Sequence, residues 1–150
     1  RVMERNLDDI KLLNWIINEK FKEHFDHRPE TVEETKYWVT NSPWCDIAEY
    51  YFGYVGDELV GFVIIGIDSK FVKFQGIKRG WINVIGVLKP WRRKGVGAAL
   101  ILHGLIDLKS RGMIEADLGV DDSNPTRAIE LYRKVGFRIA HKHLTYLKKI

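Results

Sequence analysis

Between Trp81 and Leu100 the chain changes character twice, and whatever it folds into has to accommodate both changes. Trp81 to Leu88 is an apolar run of strand composition. Pro90 ends it, Arg92-Arg93-Lys94-Gly95-Val96-Gly97 forms a tight basic loop, and from Gly97 to about Arg111 the residues are apolar around much of a helical circumference, until Gly112 stops them. A strand that passes through a glycine-containing turn into a helix aims the unpaired N–H groups of the helix start at one point. Gly95 and Gly97 let a ligand approach that backbone closely. Such a turn is a cradle for an anion, and for a phosphate-bearing ligand in particular. After the helix, Glu115 to Val120 alternates, with Ala116, Leu118 and Val120 on one side. Two strands separated by a helix are expected to be parallel and joined by a right-handed crossover.

The elements upstream are predicted from their own signals. Asn6, three residues before Asp9, suits the cap of a helix running to about Phe25, and Asp26-His27-Arg28-Pro29 breaks it. Thr31-Val32-Glu33-Glu34 fits the reciprocal capping box of a second helix, which reaches about Thr40 and is stopped by Asn41-Ser42-Pro43. Tyr50 to Val55 and Leu59 to Ile67 flank Gly56-Asp57 and read as an antiparallel hairpin. Asp68 to Gly80 is read as an exposed loop. Downstream, Asn124 is placed to cap a final helix with Pro125 at its first position; Ala128, Leu131, Tyr132 and Val135 share a face, and Gly136 closes it. Phe137 to Leu147 then returns as strand, and Lys148-Lys149-Ile150 is a basic tail.

Charge narrows the ligand. Residues 1–75 carry 9 Lys and Arg against 14 Asp and Glu, a balance of −5, while residues 76–150 carry 15 against 6, a balance of +9. A basic half containing the glycine loop suits an anionic ligand, and an acidic half steers a cationic one. The basic residues gather beside a helix start rather than in a stripe with stacking aromatics, which favours a small phosphate ligand over nucleic acid. The longest apolar stretch, Leu59 to Ile67, is far short of the roughly 20 residues that cross a bilayer, so no membrane partner is expected. A lone cysteine, Cys45, fits a reducing, cytoplasmic setting and reads as a small, semi-buried apolar residue. The 150 residues are expected to make one domain, with room for sequence upstream of Arg1. His24 and His27 lie three apart without further clustered ligands, so no metal is expected. Tyr37, Trp38 and Trp44 fit the wall of an acceptor pocket and the core beneath the hairpin equally well.

Val87 to Pro90 followed by Arg92-Arg93-Lys94-Gly95-Val96-Gly97 resembles the R-x-x-G-x-G loop of the GNAT superfamily of N-acetyltransferases. Asn124 to Phe137 resembles that family's N-x-x-A-x-x-L-Y-x-x-x-G-F helix, and Asp117 to Phe137 is similar to mycothiol synthase-like members, whose substrate is not carried over. The resemblance implies an α/β fold: a mixed, mostly antiparallel sheet with a splayed parallel pair and helices on both faces. It implies acetyl-CoA as co-substrate, without a metal, and an amine acceptor, small molecule or peptide, that attacks the thioester directly. The pyrophosphate would lie on Arg92, Arg93, Lys94, Gly95, Val96, Gly97 and Ala98. A backbone N–H near Val87 or Leu88 would hold the thioester carbonyl, Asn124 and Ala128 would lie along the cofactor, and Tyr132 would bind it and protonate the departing thiolate. Alternatives are a non-catalytic acyl-CoA sensor, another acyl donor or a hydroxyl acceptor. The oligomeric state is left between monomer and homodimer.

One departure stands out. Many family members carry a glutamate on the strand that here reads Trp81-Ile82-Asn83-Val84-Ile85, which holds no acid or histidine. Asp117, Asp121, His141 and His143 are the substitutes on offer, directly or through water. Deprotonating a lysine-like amine at pH 7 costs about 4.6 kcal/mol, and an α-amine only about 1.4 kcal/mol. A site without a strong base therefore suits an amine of low pKa.

Overall fold

The computed structural model describes residues 1–21, 28–41, 45–118 and 136. The elements run α1 (Leu7–Phe21), α2 (Val32–Asn41), β1 (Ile47–Val55), β2 (Glu58–Ile67), α3 (Ser69–Gln75), β3 (Arg79–Val87), α4 (Val96–Ser110) and β4 (Glu115–Leu118), with a 3-10 turn at Lys89–Trp91 between β3 and α4. The chain divides into two compact units, Arg1–Gly119 and Val120–Ile150, and all of these elements belong to the first. The expected final helix and strand lie outside the described residues, apart from Gly136, whose φ is 100°.

Both predicted N-terminal caps form. The Asp9 N–H donates to Asn6 Oδ1 at 2.8 Å, the Glu34 N–H to Thr31 Oγ1 at 3.1 Å, and the Thr31 N–H back to Glu34 Oε1 at 3.4 Å. The segment read as an exposed loop contains α3 instead. Asp68 Oδ1 accepts from the N–H groups of Lys70 and Phe71, and Gly76 closes the helix at φ 68°. Seven residues are too few to hold a helix on propensity alone. The Phe71 ring meets that of Trp81 edge-on, 5.1 Å between centroids, and this tertiary contact supplies what the local sequence lacks.

The sheet order is β1-β2-β3-β4, antiparallel except for the parallel pair β3–β4. Among the described residues that pair runs in register from Arg79↔Glu115 to Ile82↔Leu118. A bulge falls at the same level, because Ile65 faces Ile82 while Ile64 faces Val84, leaving Asn83 over. The extra residue reverses the alternation of β3. Ile82 packs under α4, whereas Val84 joins the opposite layer.

Helices cover both faces. Leu13 and Ile16 of α1 and Val39 of α2 pack on Tyr50, Phe52, Phe62 and Ile64, each at most 2% exposed. Trp38 joins this layer, and its Nε1 donates to Glu30 Oε1 at 2.7 Å, while Tyr37 is 68% exposed. On the other face α4 lies over Val63, Ile65 and Ile82, brought close by Gly104, where a Cβ would stand 3.0 Å from both isoleucines. Burying each such side chain is worth roughly 1.5–3 kcal/mol, so the two layers fix β3 between them.

Candidate active site

Everything that shapes the site follows from how β3 gives way to α4. Pro90 starts the 3-10 turn, in which the Trp91 N–H donates to the Leu88 carbonyl at 2.9 Å. Arg92 is extended, and its Nε donates back to the Val87 carbonyl at 3.1 Å. Arg93 then takes φ 63° and Gly95 φ 82°, two left-handed residues that turn the chain into α4. The first bond of that helix is Ala99 N–H to Gly95 carbonyl at 3.1 Å, so the N–H groups of Val96, Gly97 and Ala98 have no intrahelical partner. Gly97 is buried and Val96 and Ala98 are half-buried, whereas Arg92, Arg93, Lys94 and Gly95 are exposed. The Lys94 ammonium stands 5.3 Å over the Trp91 ring, which holds its charge beside the helix start. The arrangement concentrates positive charge and backbone donors on one concave turn.

The backbone of β3 leads away from that turn with alternating amides. The Leu88 N–H donates to the Val60 carbonyl at 2.9 Å, which places Leu88 on the β2 side of the ladder. By alternation Gly86 and Val84 face β2, and the N–H groups of Val87 and Ile85 point the other way. Of the two amides proposed from sequence, Leu88 is therefore engaged, and Val87 faces outward together with Ile85. Ile85 was not singled out from sequence. Finding it requires the ladder register, which no residue pattern announces.

Asp117, a substitute base, is exposed on β4 as the register partner of Trp81. Asn124, Ala128 and Tyr132 lie outside the described residues, as do Asp121, His141, His143, His24, His27 and Trp44. Cys45 is buried, and burial pushes its thiol pKa up, which disfavours the thiolate. A contact that sequence did not reveal ties α4 to the sheet: the Tyr51 hydroxyl donates to Asp107 Oδ2, with the His103 ring edge-on to Tyr51 at 4.5 Å. Burial, and then the Asp107 carboxylate, push the Tyr51 pKa far up, so the phenol stays protonated and the bond intact across ordinary pH.

Residues 11–137 match the model of the acetyltransferase (GNAT) family. The chain belongs to that family. Among curated relatives of this GNAT chain, mycothiol acetyltransferase of Thermobispora bispora is 34% identical over 117 residues, 78% of this chain and 39% of the relative. The mycothiol acetyltransferase of Corynebacterium glutamicum is 30% identical over 129 residues, 84% of this chain and 41% of the relative. N-alpha-acetyltransferase 50 of Danio rerio is 35% identical over 98 residues, covering 65% and 55%. The chain thus spans about two fifths of the length of the mycothiol acetyltransferases it matches. Solved structures agree in fold. An aminoglycoside acetyltransferase from an uncultured soil metagenomic sample, in complex with sisomicin, superposes with TM-score 0.75 at 12% identity, covering 100% of this chain and 94% of that one. An aminoglycoside N-acetyltransferase in complex with CoA gives TM-score 0.74 at 15% identity, covering 100% and 95%.

Proposed function

We propose that this GNAT chain transfers an acetyl group from acetyl-CoA to a primary amine by direct attack. The observation that carries the reading is the turn at Arg93 to Gly95, whose two left-handed residues present the free N–H groups of Val96, Gly97 and Ala98 beside a cluster of cations. A pyrophosphate is the moiety of coenzyme A that such a turn accommodates. Arg92 serves by bracing the turn through Val87, and Arg93 and Lys94 supply charge.

From that anchor the pantetheine arm runs back along the outward side of β3. Extended, it is about 15 Å long, the length of four to five strand residues. Measured back from the turn at Lys89 and Pro90, this brings the thioester to the level of Ile85, past Val87. The Val87 N–H then serves an amide of the arm, and the Ile85 N–H faces the thioester carbonyl, where it stabilises the oxyanion formed as the amine attacks. The nitrogen–carbon bond forms, the carbon–sulfur bond breaks, and the thiolate takes a proton. Tyr132 is proposed as its source, with Asn124 and Ala128 along the cofactor. No acid stands on β3 at Trp81 to Ile85, so the amine's proton leaves to one of the substitutes Asp117, Asp121, His141 and His143, directly or through water, and the lack of a strong base on β3 favours acceptors of low pKa.

Relatives support an amine acceptor: one is an N-alpha-acetyltransferase, and two fold neighbours are aminoglycoside acetyltransferases. The test is release of free thiol from acetyl-CoA against a panel of amines, with product mass measured. An increase of 42 mass units on an amine supports the reading. Tight binding of acetyl-CoA without turnover on any acceptor would make the chain a sensor.

A further inference from the structure

We propose that the groove between α4 and the outer strand β1 holds the adenosine 3′-phosphate end of coenzyme A; this rests on the acetyl-CoA reading above. The groove encloses about 440 Å³, within the range of roughly 300–1,000 Å³ usual for small-molecule sites. Every residue that lines it is among the described ones and belongs to the unit Arg1–Gly119.

Its shape follows from where α4 sits. Glycines draw the helix over β2 and β3: a Cβ on Gly104 would stand 3.0 Å from Ile65 Cγ2 and Ile82 Cδ1, and one on Gly61 2.9 Å from Leu100 Cδ1. β1 is left to one side of the helix, and Gly53 brings no side chain to fill the gap; Leu100 reaches across instead, 3.1 Å from where a Gly53 Cβ would stand. Val96, Ala99 and His103, three and four apart on α4, form one wall over about 10 Å. The inner end is shut by Tyr51, which is bonded to Asp107 and met edge-on by the His103 ring at 4.5 Å. The outer end opens at Lys94 and Gly95, on the turn into α4.

Position and charge decide the occupant. The groove begins at Val96, whose N–H is one of the donors to the pyrophosphate in the reading above, and it lies on the β1 side of α4. In the same reading the pantetheine arm follows the opposite side of β3, the side facing β4. A pyrophosphate held at the helix start carries a substituent at each end, so with the arm leaving toward β4 the nucleoside leaves toward β1. Arg1, Lys94 and His103 line the groove, and no carboxylate side chain does. The Arg1 guanidinium is taken by Asp9, at 2.6 and 2.8 Å. Lys94 makes no ion pair among the described residues, and its ammonium stands 5.3 Å over the Trp91 ring, which leaves it free for a phosphate. Gly53, Ala99 and Leu100 give the sugar and base an apolar floor.

The experiment measures Kd by calorimetry for three probes: CoA, 4′-phosphopantetheine, which lacks the nucleoside, and adenosine 3′,5′-bisphosphate, which lacks the arm. The proteins are the wild-type chain, Ala99→Leu and Ala99→Phe. Ala99 lines the groove and is exposed, so a larger side chain there fills the groove without entering the core. Wild type is expected to bind CoA at least about tenfold more tightly than 4′-phosphopantetheine. Ala99→Leu should lose part of that preference and Ala99→Phe nearly all of it, and the bisphosphate should weaken in the same order. Binding of 4′-phosphopantetheine should be unchanged in both variants, which also shows that they are folded. A preference for CoA that survives Ala99→Phe, or a loss shared equally by 4′-phosphopantetheine in both variants, overturns the proposal while leaving acetyl transfer standing. If CoA binds but no amine is acetylated, the transfer reading falls and the same ratios still decide the groove. If CoA does not bind, the groove proposal falls with the acetyl-CoA reading.

Discussion

Arg92 Nε donates to the carbonyl of Val87 at 3.1 Å, so the first basic residue of the loop is tied to the last residue of β3. The bond joins the turn that would hold the pyrophosphate to the strand that would carry the arm. Arg92→Ala removes it, and a hydrogen bond of this kind is worth about 0.5–1.5 kcal/mol net. The expected effect is a rise of about twofold to tenfold in KM for acetyl-CoA, with kcat changed far less. Arg92→Lys keeps the charge but not the planar donor, and should resemble the alanine variant. Steady-state kinetics check it, and wild-type KM in Arg92→Lys alone would mean that charge, not the brace, is what matters.

Gly86 lies opposite Phe62 in the ladder, and an added Cβ would stand 2.5 Å from Phe62 Cε1 and 3.0 Å from Lys20 Cγ. The Phe62 ring is 1% exposed and has nowhere to go. Gly86→Ala is therefore expected to destabilise the chain by about 1–3 kcal/mol. It should also lower Tm by several degrees. Gly56→Ala is a control of the opposite kind, with nothing within 4 Å of the new Cβ and strain only from its φ of 60°. Urea midpoints for the two variants separate crowding from backbone strain.

Local chemistry made much of this chain legible in sequence. The caps at Asn6 and Thr31, the turn at Gly56-Asp57 and the loop before α4 involve residues within a few positions of one another, so their signals survive in sequence. What could not be seen depends on partners far away. α3 stands on Phe71 meeting Trp81, the Tyr51–Asp107 bond joins residues 56 apart, and the bulge at Asn83 exists only relative to β2. The bulge matters most for the site, because it reverses which side chains of β3 face α4.

Asp9 is 6% exposed and accepts from Arg1 Nη2 at 2.6 Å, Arg1 Nη1 at 2.8 Å and the Glu4 N–H at 2.7 Å. The Arg1 guanidinium holds its carboxyl below the usual carboxylate range, against the opposing effect of burial. A depressed native pKa means that the unfolded chain binds more protons at mildly acid pH. This part of the stability is thus present above the unfolded pKa of about 3.9 and is lost as pH falls from there through the native value. Arg1 is itself 46% exposed, so Asp9→Asn should cost only about 1–2 kcal/mol at pH 7. The difference from wild type should shrink below pH 4. Urea unfolding at pH 7 and pH 3 tests this, and a gap that stays constant would assign the loss to packing instead of charge.

Tyr132 is the proposed source of the proton to sulfur, and a phenol suits that role because its hydroxyl is a general acid when held within reach of the leaving group. Replacing the hydroxyl with hydrogen in Tyr132→Phe keeps the ring and removes only the donor. If the donor acts in the transition state, kcat should fall by about 10²–10⁴-fold with acetyl-CoA affinity nearly unchanged. The loss should also depend on the leaving group, because a thiolate of lower pKa needs less help in departing. Comparing acetyl-CoA with an acetyl thioester of a more acidic thiol should therefore show the Tyr132→Phe defect narrowing. A defect equal for both thioesters, or a rise in KM for acetyl-CoA with kcat intact, would place Tyr132 in binding rather than in proton transfer.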